Sequence, residues 1–255
     1  VAITFIPILP VAYHNYQHNG QLQLFSANGP VTLYLGNNRD SAGIGQYSPA
    51  FLATHELVNR GQTTFFKQTT KDILENPQRW LGLMTRKTAL YWGNLEIPNN
   101  VDFYAEGTNI SLLLRYLPLR FGVLVILAFT GIQLVVTQTN MYRPGKWLIL
   151  STIGVLCITT VMFHVVSRFR VPTYGPLILF SAFTLTEITK QLISRDAQRI
   201  TKSISAITIS SILVLTLPYI ADNSVPLPIE RHVPKDSIVD KLPFGSELTL
   251  ESHSL

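Results

Sequence analysis

The chain has 255 residues, of which 47% are hydrophobic and only 14% charged, with a formal net charge of +5. That is too apolar for an ordinary soluble domain, where about a quarter of residues carry charge. The basic residues are scattered and no nucleic-acid motif accompanies them, so nucleic acid is excluded as a partner and the basic loops of a membrane protein account for the balance.

Residues 1–12 (VAITFIPILPVA) open with neither Met nor a basic n-region and do not resemble a secretory signal. They read as the end of a truncated transmembrane helix, which makes the chain the C-terminal part of a longer protein. Residues 13–118 read as a folded outer domain. In it, 22–25 and 31–35 are short strand-like runs, set between turn residues at Asn28-Gly29-Pro30 and Gly36-Asn37-Asn38. A helix is expected to start at Ser48-Pro49 and stop at Gly61, and another to cover about 64–75.

A third helix begins with Asn76 as cap and Pro77 inside, and closes at Gly93. Its apolar Trp80, Leu83, Met84 and Tyr91 follow helical spacing, with Arg79, Arg86 and Lys87 among them. Two readings stay open: an interfacial helix tucked against a membrane, or a helix packed on its own domain with solvated basic residues. His14 and His18 stand four apart, but no third ligand is near and Asn19-Gly20 breaks the segment, so no metal site is expected. The single cysteine, Cys157, reads as an inert packed thiol and allows no disulfide framework within the chain.

Residues 121–139 carry no charge, and 147–166 carry none if His164 is neutral; each can cross a hydrocarbon core of about 30 Å as a helix. Residues 173–188 form a shorter, weaker span ending near Glu187, and 203–221 a fourth that is strongly apolar from Ile212. The fold class is therefore mainly α: a multi-pass transmembrane bundle of about four complete spans in 119–221, with a small mixed α/β outer domain and an outer tail, 222–255. Arg143 and Lys146 in one loop, and Lys190, Arg195, Arg199 and Lys202 against Asp196 in another, place those loops in the cytoplasm. Residues 13–118 and 222–255 then lie on the opposite side.

The sequence Ser167-Arg168-Phe169-Arg170-Val171-Pro172 is the one short outer loop against this charge bias. A guanidinium at the bilayer centre costs about 2.5–3.5 kcal/mol on insertion scales, so these two must snorkel to an interface or hold an anion there. Pro172 disfavours a helical Val171, so the stretch is expected to leave the helix as an extended turn with both arginines pointing one way. The planar fork of arginine binds phosphate oxygens bidentately. The alternative is that both are ordinary lipid-headgroup anchors.

The segment Tyr16 to Asn38 (YQHNGQLQLFSANGPVTLYLGNN) is similar to one that follows a membrane helix in bacterial C-type glycosyltransferases. The run Asn76-Pro77-Gln78-Arg79-Trp80 through Arg86-Lys87, Trp92 and Glu96-Ile97-Pro98-Asn99-Asn100 resembles their amphipathic helix and following loop. Phe163-His164-Val165-Val166-Ser167-Arg168-Phe169-Arg170-Val171-Pro172 looks like their late Arg-aromatic-Arg-apolar-Pro signature. Relatives include protein mannosyltransferases and the lipid A aminoarabinose transferase.

The resemblance implies an inverting enzyme of the bacterial inner membrane, with 13–118 and 222–255 periplasmic. It would move a sugar from a polyprenyl-phosphate donor to a lipid, glycan or protein acceptor, among membrane lipids. Arg168 and Arg170 are the candidates to bind the lipid phosphate. Read from their own chemistry, Tyr174 either lines the same mouth or simply favours the interface, and His164 either contacts phosphate or acceptor or is structural. Glu96, Asn99, Asn100 and Asp102 either hydrogen-bond a sugar in the substrate cleft or serve capping and turn formation. The family's catalytic carboxylate lies in a first outer loop with no counterpart here, so no acid of this chain takes the general-base role and the chain alone is expected to be inactive. No cofactor is implied, and dependence on a divalent metal is left open. The competing classes are a transporter or flippase-like protein for an anionic lipid or sugar, and a non-catalytic membrane scaffold.

Overall fold

A computed structural model describes residues 9–19, 28–97, 121–137 and 143–224, and these are mainly helical, with no strand among them. In chain order the helices are α1 (Leu9–Asn19), α2 (Gly29–Asn37), α3 (Pro49–Asn59), α4 (Phe65–Glu75), α5 (Pro77–Trp92), α6 (Phe121–Thr137), α7 (Arg143–Met162), α8 (Val171–Ser194) and α9 (Ala197–Ser224). A 3₁₀ turn, Ser167–Arg170, joins α7 to α8.

Local chemistry sets three of these starts where the sequence puts them. The Ser48 hydroxyl accepts from Phe51 N, the Thr64 hydroxyl from Lys67 N and the Asn76 carbonyl from Arg79 N, at 3.0–3.2 Å. Each satisfies one of the donors that a helix start leaves open. Pro49 and Pro77 follow in the first turn, where a missing N–H removes nothing.

The strand expected at 31–35 is a correction: it forms the middle of α2. Pro30 starts the helix, and tertiary packing overrides the β-branched composition. Tyr34 and Leu35 pack with Phe51 and Phe65 in the outer core, and the Tyr34 hydroxyl lies 2.8 Å from that of Thr54. Gly36, read as a turn residue, lies against α7's end: a Cβ there would sit 1.8 Å from the Phe163 carbonyl oxygen. The described part of residues 13–118 thus holds helices and loops and no strand. The strand expected at 22–25, residues 1–8 of the helix end expected at 1–12, and residues 98–120 and 225–255 lie outside the described residues; residues 9–12 are helical, but in α1, which runs past that expected end to Asn19.

Helices α6 to α9 run alternately up and down. The start of α6, the end of α7, the start of α8 and the end of α9 meet α5 and its flanks, through Asn94 to Gly122 N, Lys87 to Phe163 O, Tyr91 to Thr173 and Arg86 to Ala221 O. At the distal end Lys146 reaches Val135 O, and Ser203 donates to Gln191 across α8 and α9. Two helices, α7 from Gly145 and α9, are long and apolar enough to cross a membrane, and α6 is apolar but shorter, at 17 residues.

Small residues let these helices close up. A Cβ on Gly131 of α6 would lie 2.3 Å from Phe180 O of α8, and the Ser181 and Thr184 hydroxyls donate to Leu124 O and Leu127 O of α6. The outward surface is greasy instead: Ile158, Leu179, Ile212 and Leu215 are all exposed.

α5 corrects one of the two readings made of it, that of a helix with solvated basic residues. Its last turns, Ala89 to Tyr91, are buried among Val161, Val165, Leu217 and Ala221, and the Trp92 ring meets Phe129 of α6 at 5.1 Å. Its basic residues are neither solvated nor snorkelling. Lys87 and Arg86 are buried and Arg79 half-buried, all donating to protein oxygens.

Candidate functional site

α7 ends at Met162, four residues before the apolar run does. The chain then runs without helix through 163–166, because groups from elsewhere claim its polar atoms. The Asn37 amide donates to Met162 O and Lys87 Nζ to Phe163 O, both at 2.8 Å, while Val165 N donates to Gly43 O at 2.9 Å. Ser167 then pairs twice with Ile97: its N–H donates to Ile97 O at 3.0 Å, and its hydroxyl accepts from Ile97 N at 2.6 Å.

The expected extended turn at Arg168–Arg170 is a further correction. Val171 is helical (φ −51°, ψ −43°), and α8 begins there with Pro172 in its first turn. The hydroxyl of Thr173 donates back to Arg170 O and supports that start. With about three residues per turn in a 3₁₀ segment, side chains two apart point in different directions, so the two arginines diverge.

Arg170 turns inward and is fully buried. Its guanidinium donates to Leu90 O (2.9 Å), Gly93 O (3.2 Å) and Leu95 O (2.6 Å), and lies 4.8 Å from the centre of the Phe121 ring. Tyr174 stacks on that same ring at 5.4 Å. Arg168 turns outward, exposed, 5.0 Å over the Phe169 ring. Glu96 is half-buried in the segment that Ser167 and Arg170 hold, whereas Asn99, Asn100 and Asp102 lie outside the described residues.

His164 is 6% exposed, with Phe169 edge-on at 5.4 Å. Burial pushes its pKa below the ordinary imidazole value; the Thr32 backbone pulls the other way, and the Lys87 and Arg168 charges lower it further. The loop before α3 covers it. A Cβ on the exposed Gly45 would lie 2.9 Å from His164 Cδ2 and 3.1 Å from Nε2, and one on Gly43 would meet Lys87 Cγ at 2.8 Å. Gly43 also has φ +84°, open to glycine at little cost.

Beneath them Lys87 is fully buried, and that burial alone drops its pKa to about 7. It donates to Asn37 Oδ1 at 2.9 Å, which Trp80 Nε1 also reaches at 3.2 Å. Arg86 holds Ala42 O, Ala221 O and, at 3.9 Å, the Asp222 carboxylate; Arg79 holds Asn38 O and Ser41 O. Cations thus sit on the closing carbonyls of α5, α7 and α9, where helices leave acceptors open and the backbone field favours positive charge.

The structure therefore brings Arg168, Arg170, His164, Tyr174 and Glu96 into one neighbourhood but turns only Arg168 outward among the cations. Sequence reasoning missed the loop at 43–47, whose one signal is Gly43-Ile44-Gly45, and missed Lys87 and Asn37, which carry no local signal. Among the described residues no group of three His, Cys, Asp or Glu side chains could hold a metal ion. No family model, curated protein or solved structure matches the chain.

Proposed function

We propose that this chain is the C-terminal portion of an integral-membrane glycosyltransferase that moves a sugar, with inversion, from a polyprenyl-phosphate donor to an acceptor at the periplasmic face of a bacterial inner membrane. Helices α6 to α9 are its four spans, and the outer helices, with 13–118 and 222–255, lie on the periplasmic side. Close approach at Gly131, Ser181 and Thr184, under an apolar exterior, supports membrane embedding, since small and hydroxyl residues are what packs helices in lipid. The basic distal loops, with exposed Lys190, Arg195, Arg199 and Lys202, support a cytoplasmic distal end.

One observation carries the reading. Arg168 is held outward at the outer end of the apolar helices, on a turn fastened to the segment after α5 by Ser167–Ile97 pairing and by Arg170. Arg168 then receives the donor phosphate and stabilises the charge that grows there as the sugar leaves, the kind of preorganised contact that contributes most to many reactions. Arg170 is a positioning residue. The base that activates the acceptor comes from outside this chain.

In the complete enzyme, Arg168→Ala should lower sugar transfer by about 10²-fold or more, with membrane insertion intact and Arg168→Lys recovering part of the rate. Unchanged transfer in the alanine variant removes Arg168 from the site.

A further inference from the structure

Helix α4 carries more apolar surface than its neighbours cover. Phe65, Thr69 and Asp72 face inward. Phe65 is buried among Tyr34, Leu35 and Phe51, and the Asp72 carboxylate accepts from Arg39 N at 3.0 Å and from Gln68 Nε2 at 2.8 Å. The bond to Arg39 fixes the helix in rotation. Phe66 and Leu74 are left 63% and 75% exposed, and no described element covers them. Thr70 stands four residues from each, which puts all three along one side of the helix. Its hydroxyl donates to Phe66 O at 3.1 Å, so its polar group is satisfied within the helix and the stripe stays apolar. With Lys67, Lys71 and Glu75 these residues line a shallow open groove of about 610 Å³.

Lys67 and Lys71 border the stripe and are exposed, with Lys71 Nζ 3.8 Å from the Glu75 carboxylate. An apolar stripe edged by lysines suits a helix lying in the surface of a bilayer, with its apolar side chains at the headgroup boundary and its ammonium groups on phosphates. The place of α4 in the fold suits it too. Its partner α2 ends at Asn37, whose amide donates to Met162 O at 2.8 Å, where α7 stops. One helix, or about 8–10 Å between packed axes, therefore separates α4 from the outer end of α7. The headgroup layer beyond the hydrocarbon is itself about 5–8 Å deep, within reach of side chains on α4.

We propose that the exposed face of α4 docks on the outer surface of the membrane, with Phe66 and Leu74 entering the headgroup boundary and Lys67 and Lys71 meeting the phosphates of anionic phospholipid. From the function proposed above this takes only the membrane embedding of the bundle, and it uses none of the residues assigned to transfer.

The test is the fluorescence of a nitrobenzoxadiazole group on Thr70→Cys, in a Cys157→Ser background, with the 255-residue chain in nanodiscs doped with phosphatidylcholine that bears a headgroup nitroxide. Quenching should be about twofold or more stronger when phosphatidylglycerol replaces phosphatidylcholine as the host lipid. The double variant Phe66→Ser/Leu74→Ser should lose most of the quenching in both hosts. Lys67→Gln/Lys71→Gln should quench alike in the two. All four positions are exposed, and near-ultraviolet circular dichroism matched to the parent chain shows that the fold is intact.

Equal quenching in the parent and in Phe66→Ser/Leu74→Ser overturns the docking of this face. Equal quenching of the parent in the two hosts overturns the anionic assignment. A probe shielded from aqueous iodide yet untouched by the nitroxide overturns the lipid in favour of a protein cover. In each of these cases the transfer reading and its test at Arg168 stand. A chain that stays folded and monomeric in buffer without lipid or detergent overturns both.

Discussion

Apart from Arg168, which is exposed at the outer end, the two ends of the helical bundle use positive charge in opposite ways. At the outer end Arg86, Lys87 and Arg170 are buried on backbone carbonyls, and Arg79 is half-buried on two more. At the distal end Lys190, Arg195, Arg199 and Lys202 are exposed, and Lys190 and Arg199 pair with Glu187 and Asp196 three residues away. Of the distal basic groups with described side chains only Lys146 is half-buried, on Val135 O. The difference follows from which termini meet where. Three helix C-termini, those of α5, α7 and α9, converge at the outer end, and their open carbonyls are a sink for cations that water cannot reach. At the distal end α8 closes on its own chain, with Arg195 left-handed (φ 54°) and its N–H returned to Gln191 O and Leu192 O. Residue type alone does not distinguish the two cases.

The largest test of this contrast is Arg170→Met, which removes the donors to Leu90, Gly93 and Leu95. Stranding buried acceptors costs about 1–3 kcal/mol each, so thermal unfolding in detergent should show a loss of about 3 kcal/mol or more. A loss below about 1 kcal/mol would mean that the carbonyls find water and that the outer end is not a cation sink.

Lys87 gives a smaller effect with a pH signature. The unfolded chain holds this proton up to about 10.5 and the folded chain only to about 7, so between those values the unfolded state binds more protons and stability rises with pH. Below pH 7 this contribution is flat. Lys87→Met should abolish the rise between pH 7 and 10; a rise that persists assigns it to other groups. The smallest effect belongs to the distal end, where Arg199→Ala should change stability by no more than about 0.5 kcal/mol.

What the sequence disclosed was whatever its neighbours in the chain determine. Ser48, Thr64 and Asn76 each cap a helix with a side chain that reaches three residues ahead, and Pro49 and Pro77 confirm the position locally. The apolar runs announced α6, α7 and α9 because a continuous hydrophobic stretch needs no partner to be recognised. The strand assigned to 31–35 failed because Gly36 is small to meet Phe163, a residue 127 positions later in the numbering of the chain, and not to make a turn. Residues 163–166 hold neither Gly nor Pro, so nothing local marks the end of α7; Asn37, Lys87 and Gly43 do that from outside. In the candidate site, the placement of Arg168 and His164 beside an apolar run was legible. The divergence of Arg168 from Arg170 depended on a 3₁₀ turn, and the covering loop on a contact with no sequence neighbourhood.

Residues 163–166 are fastened on one flank to Gly43 and, through Ser167, on the other to Ile97. His164, Val165 and Val166 are all buried within that grip. The spacing between Met162 and Ser167 is therefore a fixed length, like a link measured to fit two pegs. An extra turn at the distal start of α7 would pass unnoticed here. A single residue inserted after Met162 would carry His164 out from beneath Gly45 and swing Arg168 off the rim.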